Sequence, residues 1–174
     1  MQQPQQRLET LKDGSSALVR PIRADDVAAH AAFIANLSAP SKHFLFLGGI
    51  ARMSDAALKR LCDPDGDHDM AYVAMTGDGT EQREIGISRY AGADAQHGAE
   101  ISIAVADDWQ HRGLGRRLLE RLIEHARARG VRRLYSIDAV ANDRMRELAH
   151  HLGFAEQPDP DDIHQVIYYL ELDK

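Results

Sequence analysis

Two glycines, Gly113 and Gly115, open an otherwise strong helical pattern in DDWQHRGLGRRLLERLIEHA (residues 107–126), and Arg112, Arg116 and Arg117 surround them. A glycine in a helix costs about 1 kcal/mol relative to alanine, so two of them at its start need a reason. The first turn of a helix carries unpaired N–H groups and about half a positive charge. Glycines there remove side chains that would keep an anion from those donors, and a helix mouth reached directly from a strand is a phosphate cradle. Arg112 and Arg116 can supplement it with charge-assisted hydrogen bonds. A dinucleotide fingerprint would need glycine where Leu118 stands, and no G-K-[ST] follows to make a P-loop. The remaining alternative is a tight strand-to-helix turn that merely tolerates glycine.

A carboxylate precedes the cradle. In AEISIAV (residues 99–105), strand alternation puts Ala99, Ile101, Ile103 and Val105 on one face, and Glu100 and Ser102 on the other. Other candidates are weaker. The acidic run Asp63–Asp69 invites a calcium reading, but an EF-hand loop from Asp63 needs glycine at 68 and glutamate at 74, where His68 and Ala74 stand. It reads as an acidic turn, and no metal is expected. His150 and His151 are helix neighbours about 100° apart, which cannot easily chelate one ion. Cys62 ends an apolar-periodic segment and reads as a buried structural residue rather than a nucleophile. Trp109 reads as a packing residue beside the glycines.

The composition bounds the setting. A chain of 174 residues with 44% hydrophobic residues is about one soluble globular domain. Residues 1–16 read as a polar N-terminal tail and 17–174 as a single domain. No apolar run approaches the roughly 20 residues of a membrane span, and MQQPQQRLET has no apolar core of a secretory signal. A single cysteine excludes an internal disulfide and fits a reducing cytoplasm. The net charge of −6 argues against a nucleic-acid partner, which would need a basic face. Clustered arginines on an acidic chain suggest a localised anion site instead.

The elements that must hold these groups follow from the patterns. ALVRPIR (17–23) reads as a first strand, with Pro21 suggesting an edge position. Asp25 or Asp26 caps a helix to about Leu37. Pro40 and Gly48-Gly49 mark a loop, and Ser54 caps a short helix reaching Cys62. Met70–Thr76 and Glu84–Tyr90 form a hairpin, and Ala99–Val105 is the next strand. In the glycine-led helix, Leu114, Leu118, Leu122 and Ala126 with Leu119 and Ile123 face a core. Arg116, Arg117, Glu120, Arg121, Glu124 and Arg127 fall mainly on the solvated side. The helix ends at Gly130. Arg133–Val140 is a strand, Asn142 caps a helix to about Leu152, Phe154 begins a short extended piece, and Gln165–Glu171 closes the chain. The fold class is therefore α/β (α+β): a mixed, mostly antiparallel sheet flanked by helices, with one parallel crossover through the glycine-led helix.

The stretch VADDWQHRGLG (105–115) resembles the acetyl-CoA-binding motif Q/R-x-x-G-x-G/A of the GNAT N-acetyltransferase superfamily, with Gln110, Gly113 and Gly115 at its fixed positions. The preceding strand, the Asn142-capped helix and Gly153-Phe154 extend the resemblance over roughly residues 17–172. It implies a GNAT-like fold with a strand–helix–strand acetyl-CoA-binding core. The implied cofactor-binding residues are Ile103, Ala104 and Val105 along a splayed strand beside the pantetheine; Gln110, His111, Arg112, Gly113, Leu114, Gly115 and Arg116 at the helix mouth; and Asn142 near the pantetheine arm. The backbone N–H groups from Arg112 to Arg116 would hold the pyrophosphate. His43, Phe44 and Phe46 fall in a loop where that family often lines its acceptor site.

LVRPIRADD, the segments from LSAPSKHFLF to ARMSDAALKRLC, DHDMAYVA, IGISRYA and AEISIAVADDWQHRGLG resemble more closely the catalytic domain of bacterial protein lysine acetyltransferases. Those often act on acyl-CoA synthetases and are commonly fused to a synthetase-like or a cyclic-nucleotide-binding domain, for which 174 residues leave no room. A lysine amine has a pKa of about 10.4 and must lose a proton before it attacks a thioester. Glu100, which matches the glutamate of that pattern, is the expected catalytic base. The reading is a cytoplasmic acetyl-CoA-dependent N-acetyltransferase using no metal, with direct transfer in a ternary complex because no cysteine lies in the motif region. Its acceptor is an amine on a protein or a small molecule, and a homodimer is open. The alternatives are transfer to a small amine and a non-catalytic acetyl-CoA-sensing module. The superfamily's tyrosine, four residues before Gly-Phe, is replaced by Ala149. Tyr135 and His150 are conceivable substitutes, and the expectation is that no single side chain is an essential acid.

Overall fold

The computed structural model describes residues 6–46, 53–94 and 96–172. Eight strands form one sheet: β1 (Arg7–Thr10), β2 (Ser16–Pro21), β3 (Met70–Thr76), β4 (Arg83–Asp94), β5 (Gly98–Val105), β6 (Arg133–Ala139), β7 (Ala155–Pro158) and β8 (Gln165–Glu171). Their spatial order is β1-β2-β3-β4-β5-β6-β8-β7. Every pairing is antiparallel except β5 with β6. The helices are α1 (Val27–Asn36), α2 (Ala39–Phe46), α3 (Asp55–Leu61), α4 (Leu114–Ala128) and α5 (Asp143–His151).

The two faces of β4 show how the layers form. The Ser88 hydroxyl donates to the Leu118 carbonyl of α4 at 2.9 Å, while its neighbour Arg89 donates to the Leu61 carbonyl at the end of α3. Successive residues of a strand point to opposite faces, so α4 covers one side and α3 the other. Leu114, Leu118, Leu119, Leu122 and Ala126 are all essentially inaccessible, as the periodicity predicts. Gly86 lets α4 ride close, because a Cβ there would stand 2.9 Å from Leu118 Cδ1. Under α1 lies a charged layer. Arg20 and Asp26 meet through two 2.7 Å bonds, and His30 Nδ1 lies 2.9 Å from Glu84 Oε1.

Five expectations change. Residues 7–10 are not tail but strand β1, paired on β2 from Arg7–Val19 to Thr10–Ser16. Glu9 on β1 lies 3.7 Å from both Arg117 and Arg121, so Arg121 is buried at 8% exposure instead of solvated. β1 also removes β2 from the sheet edge. Pro21 is tolerated because it ends β2, beyond the last described β1 partner. Asp26 gives its carboxylate to Arg20 and to the Arg23 N–H rather than capping α1. The fifth change is α2, in a stretch read as loop. Ser38 Oγ accepts the Ser41 N–H at 3.3 Å, and Pro40 sits in the first turn, where its missing N–H costs nothing. Gly48-Gly49 lies outside the described residues.

Candidate active site

β5 and β6 register at only two pairs, Ala99–Leu134 and Glu100–Tyr135, and beyond Glu100 they part. The opening between them is a cleft of about 600 Å³. Ile103, Ala104 and Val105 line one wall while pairing on their other edge with Ser88, Ile87 and Gly86 of β4. The Ala106 N–H bonds to Ile85 on β4, so by strand alternation the backbone groups of Ile103 and Val105 face the cleft. Gln110 confirms that direction, its amide donating to the Val105 carbonyl at 3.1 Å. Glu100 lines the cleft at the last registered pair. Its exposed carboxylate makes no hydrogen bond or ion pair among the described residues.

The chain then turns sharply into α4. His111 (φ 62°) and Gly113 (φ 87°) both adopt left-handed backbone, which glycine takes without strain and histidine does not. The N–H groups of Gly113, Leu114, Gly115 and Arg116 have no acceptor among the described residues. This cluster of free donors at a helix start is what an anion requires. Gly115 sits against β5 and α5, where an added Cβ would make ordinary contacts, 3.5 Å from both Ile103 Cδ1 and Leu148 Cδ2. His111, Gly113, Leu114, Gly115 and Arg116 all line the cleft. Arg112 is the exception. Its guanidinium lies 4.5 Å over the Trp109 ring, pairs with Asp13 at 3.0 Å and donates to the Asp108 carbonyl. It therefore anchors the turn, and its side chain contributes nothing to the cleft wall. Arg116 pairs with Glu120 at 2.7 Å on the exposed rim.

Two supports of the mouth were not legible beforehand. Lys12, between β1 and β2, donates its N–H to the Arg112 carbonyl at 3.0 Å and lines the cleft with its side chain. Asp107 accepts from the Ser38 N–H, the Ser38 hydroxyl and the Ser41 hydroxyl at 2.7–2.9 Å, tying α2 to the turn. Burial would raise the Asp107 carboxyl, but these serine bonds outweigh it and hold the group below its ordinary range. On α2, Phe44 and Leu45 line the cleft, while His43 is exposed and packs edge-on to Phe44. The Phe46 side chain lies outside the described residues.

At the far wall, Asn142 caps α5 by accepting the Met145 N–H at 3.2 Å, and its amide donates to Asp138 at 3.3 Å. Both residues line the cleft. Tyr135 and His150 do not; His150 is engaged with Glu156 at 3.0 Å. Cys62 is fully buried, and burial chiefly pushes its thiol up to about 11. Asp65 binds three backbone N–H groups of its own turn, from Asp67 to Asp69. Among the described residues no three His, Cys, Asp or Glu side chains converge as a metal set, and no helix is long and apolar enough to cross a membrane.

A sheet opened at one parallel junction, with a free-donor helix mouth and an exposed carboxylate on the same cleft, is an arrangement able to hold an anionic cosubstrate, and the family match below makes the protein an acyltransferase. Residues 54–154 match the Acetyltransferase (GNAT) family, and the chain belongs to that family. It is 44% identical over 165 residues to an acetyltransferase of Pseudomonas aeruginosa, covering 95% of this chain and 89% of that protein. Among solved structures it resembles the GNAT domain of S. lividans PAT, with TM-score 0.85 and 27% identity over 95% of this chain and 96% of that one. It also shares the fold of yncA from Salmonella typhimurium, solved with its cofactor acetyl-CoA (TM-score 0.69, 21% identity, 92% and 96% coverage).

Proposed function

We propose that this enzyme transfers an acetyl group from acetyl-CoA to a lysine amine of a protein, directly within a ternary complex. The observation that carries the cofactor assignment is the set of free N–H groups from Gly113 to Arg116 beside the splayed edge of β5. Those groups suit a pyrophosphate, and the backbone of Ile103 and Val105 suits the amides of a pantetheine arm. Lys12 and Arg116 add positive charge at the rim. The cosubstrate supplies an activated acetyl thioester. Glu100 takes the proton of the acceptor amine, directly or through water, and its exposure on the cleft wall lets a bulky acceptor reach it. The sequence likeness to protein lysine acetyltransferase domains supports a protein acceptor.

The test has two arms. Acetyl-CoA should raise the melting temperature of the wild type by mass action. Gly113→Asp places a carboxylate among the donors at a left-handed position that aspartate tolerates better than most residues. That variant should fold and lose the shift; equal stabilisation, or a larger shift with NAD or ATP, would refute the cofactor. A screen for acetyl-CoA-dependent thiol release then decides the acceptor. Release with small amines alone would replace the protein acceptor, and release with none would leave a sensing module.

A further inference from the structure

The departing CoA sulfur must gain a proton to become a thiol, and the cleft contains a second carboxyl group that base chemistry does not use. Asp138 is, among the described residues, the buried carboxylate on the cleft wall, at 8% exposure. Leu134, Ser136 and Asp138 alternate onto the buried face of β6. Ser136 Oγ lies 2.5 Å from Asp138 Oδ2, and the Asn142 amide lies 3.3 Å from Oδ1, so both oxygens are held in place. Because Ala99 pairs with Leu134 and Glu100 with Tyr135, Glu100 lies on the strand face opposite Asp138. Two carboxyl groups thus approach the splay from opposite faces of the sheet, one exposed and one buried. That division suits a base on the acceptor side and an acid on the other.

We propose that Asp138 is the proton donor to the departing sulfur. The inference rests on the acetyl-CoA reading. Glu100 takes the proton lost by the amine nitrogen as the carbon–nitrogen bond forms. Asp138 gives its proton to sulfur as the carbon–sulfur bond breaks and its electron pair stays on sulfur. Exchange with water restores both carboxyl groups. Burial holds the Asp138 carboxyl above its usual range, although the Ser136 and Asn142 bonds pull it down. The charged and titratable groups on the surrounding elements are Tyr168 on β8, which feels Asp138 directly, Glu100 on the opposite face of β5, and Arg116 at the mouth of α4. From α5 come Arg144, Glu147 and His151 on the cleft wall, and Arg146 beside Tyr168. Of these, the Tyr168 hydroxyl registers the Asp138 charge, which helps to raise it after burial has done most.

The test compares wild type with Asp138→Asn, using CoA as the probe. The thiol of bound CoA, titrated by its thiolate absorbance, should ionise about one pH unit or more higher in the wild type, where an adjacent carboxylate opposes a second negative charge. Turnover of the variant should fall about 10²-fold or more, and the loss of wild-type activity with rising pH should disappear. Identical thiol titrations in two proteins that both bind CoA would overturn the proposal, as would near-normal turnover of the variant. Failure of the wild type to bind CoA would instead overturn the cofactor reading, and this inference with it. If the amide variant does not fold, Asp138→Ser, which keeps a hydroxyl near Asn142, is held to the same outcomes.

Discussion

The Lys12 N–H donates to the Arg112 carbonyl at 3.0 Å, and the Lys12 side chain lies across Gly113, its Cε 3.3 Å from where a Cβ would stand. The β1–β2 hairpin thereby delivers a cation to the helix mouth that no motif contains. Lys12→Ala should weaken acetyl-CoA binding about 5- to 10-fold, the lower end for a charge-assisted bond at an exposed site. It should also flatten the dependence of affinity on salt. Calorimetry at two salt concentrations measures both; unchanged affinity would remove Lys12 from the site.

Glu100→Gln should retain cofactor affinity and lose about 10²-fold or more in turnover. Its activity should recover partly at high pH, where more of the acceptor amine is already neutral. Near-normal turnover at neutral pH would return Glu100 to an ordinary exposed side chain. Loss of turnover with binding intact would speak against a sensing module.

Cys62→Ala should leave turnover near the wild-type value. A thiol pushed up to about 11 and sealed in the core is almost never a thiolate at neutral pH. Mass spectrometry after incubation with acetyl-CoA alone should find no thioester on Cys62. Finding one there at a turnover-competent rate would replace direct transfer with a two-step route.

Asp26 gives the fold an acid sensitivity. Burial raises its carboxyl, but the Arg20 bonds and the Arg23 N–H outweigh that and hold it below its ordinary value. A lowered folded pKa adds stability that is present above roughly pH 3.9 and is lost as pH falls through the lowered value. Asp26→Asn should therefore cost about 3 kcal/mol at pH 7, because it strands the buried Arg20 charge. Denaturant titrations should show the gap to wild type narrowing below about pH 4. A gap independent of pH would assign the loss to packing.

The sequence by itself determined the mouth of α4, because glycine spacing and helical periodicity are local. It placed Glu100 and Ser102 opposite the apolar face of β5 and Asn142 at the start of α5 for the same reason, and all three line the cleft. Element order was legible from the pattern of strands and helices, and with it the single parallel crossover. The short pieces were harder. β1 has four residues and no apolar alternation, since RLET exposes most of its side chains and is held by pairing and by Glu9 between two arginines. The α2 helix hid behind Pro40, though the serine cap in SAPS carried the signal.

Only the tertiary structure decided what each charged group does. Arg112 and Arg116 stand four residues apart in the same motif, yet one stacks on Trp109 and the other stands on the rim. Lys12 joins the site from about a hundred residues away through one backbone bond. Asp138 looked like any strand residue until the parting of β5 and β6 opened a cleft beside it. Such assignments depend on burial and on partners distant in the chain, and desolvation has no signature in a local pattern.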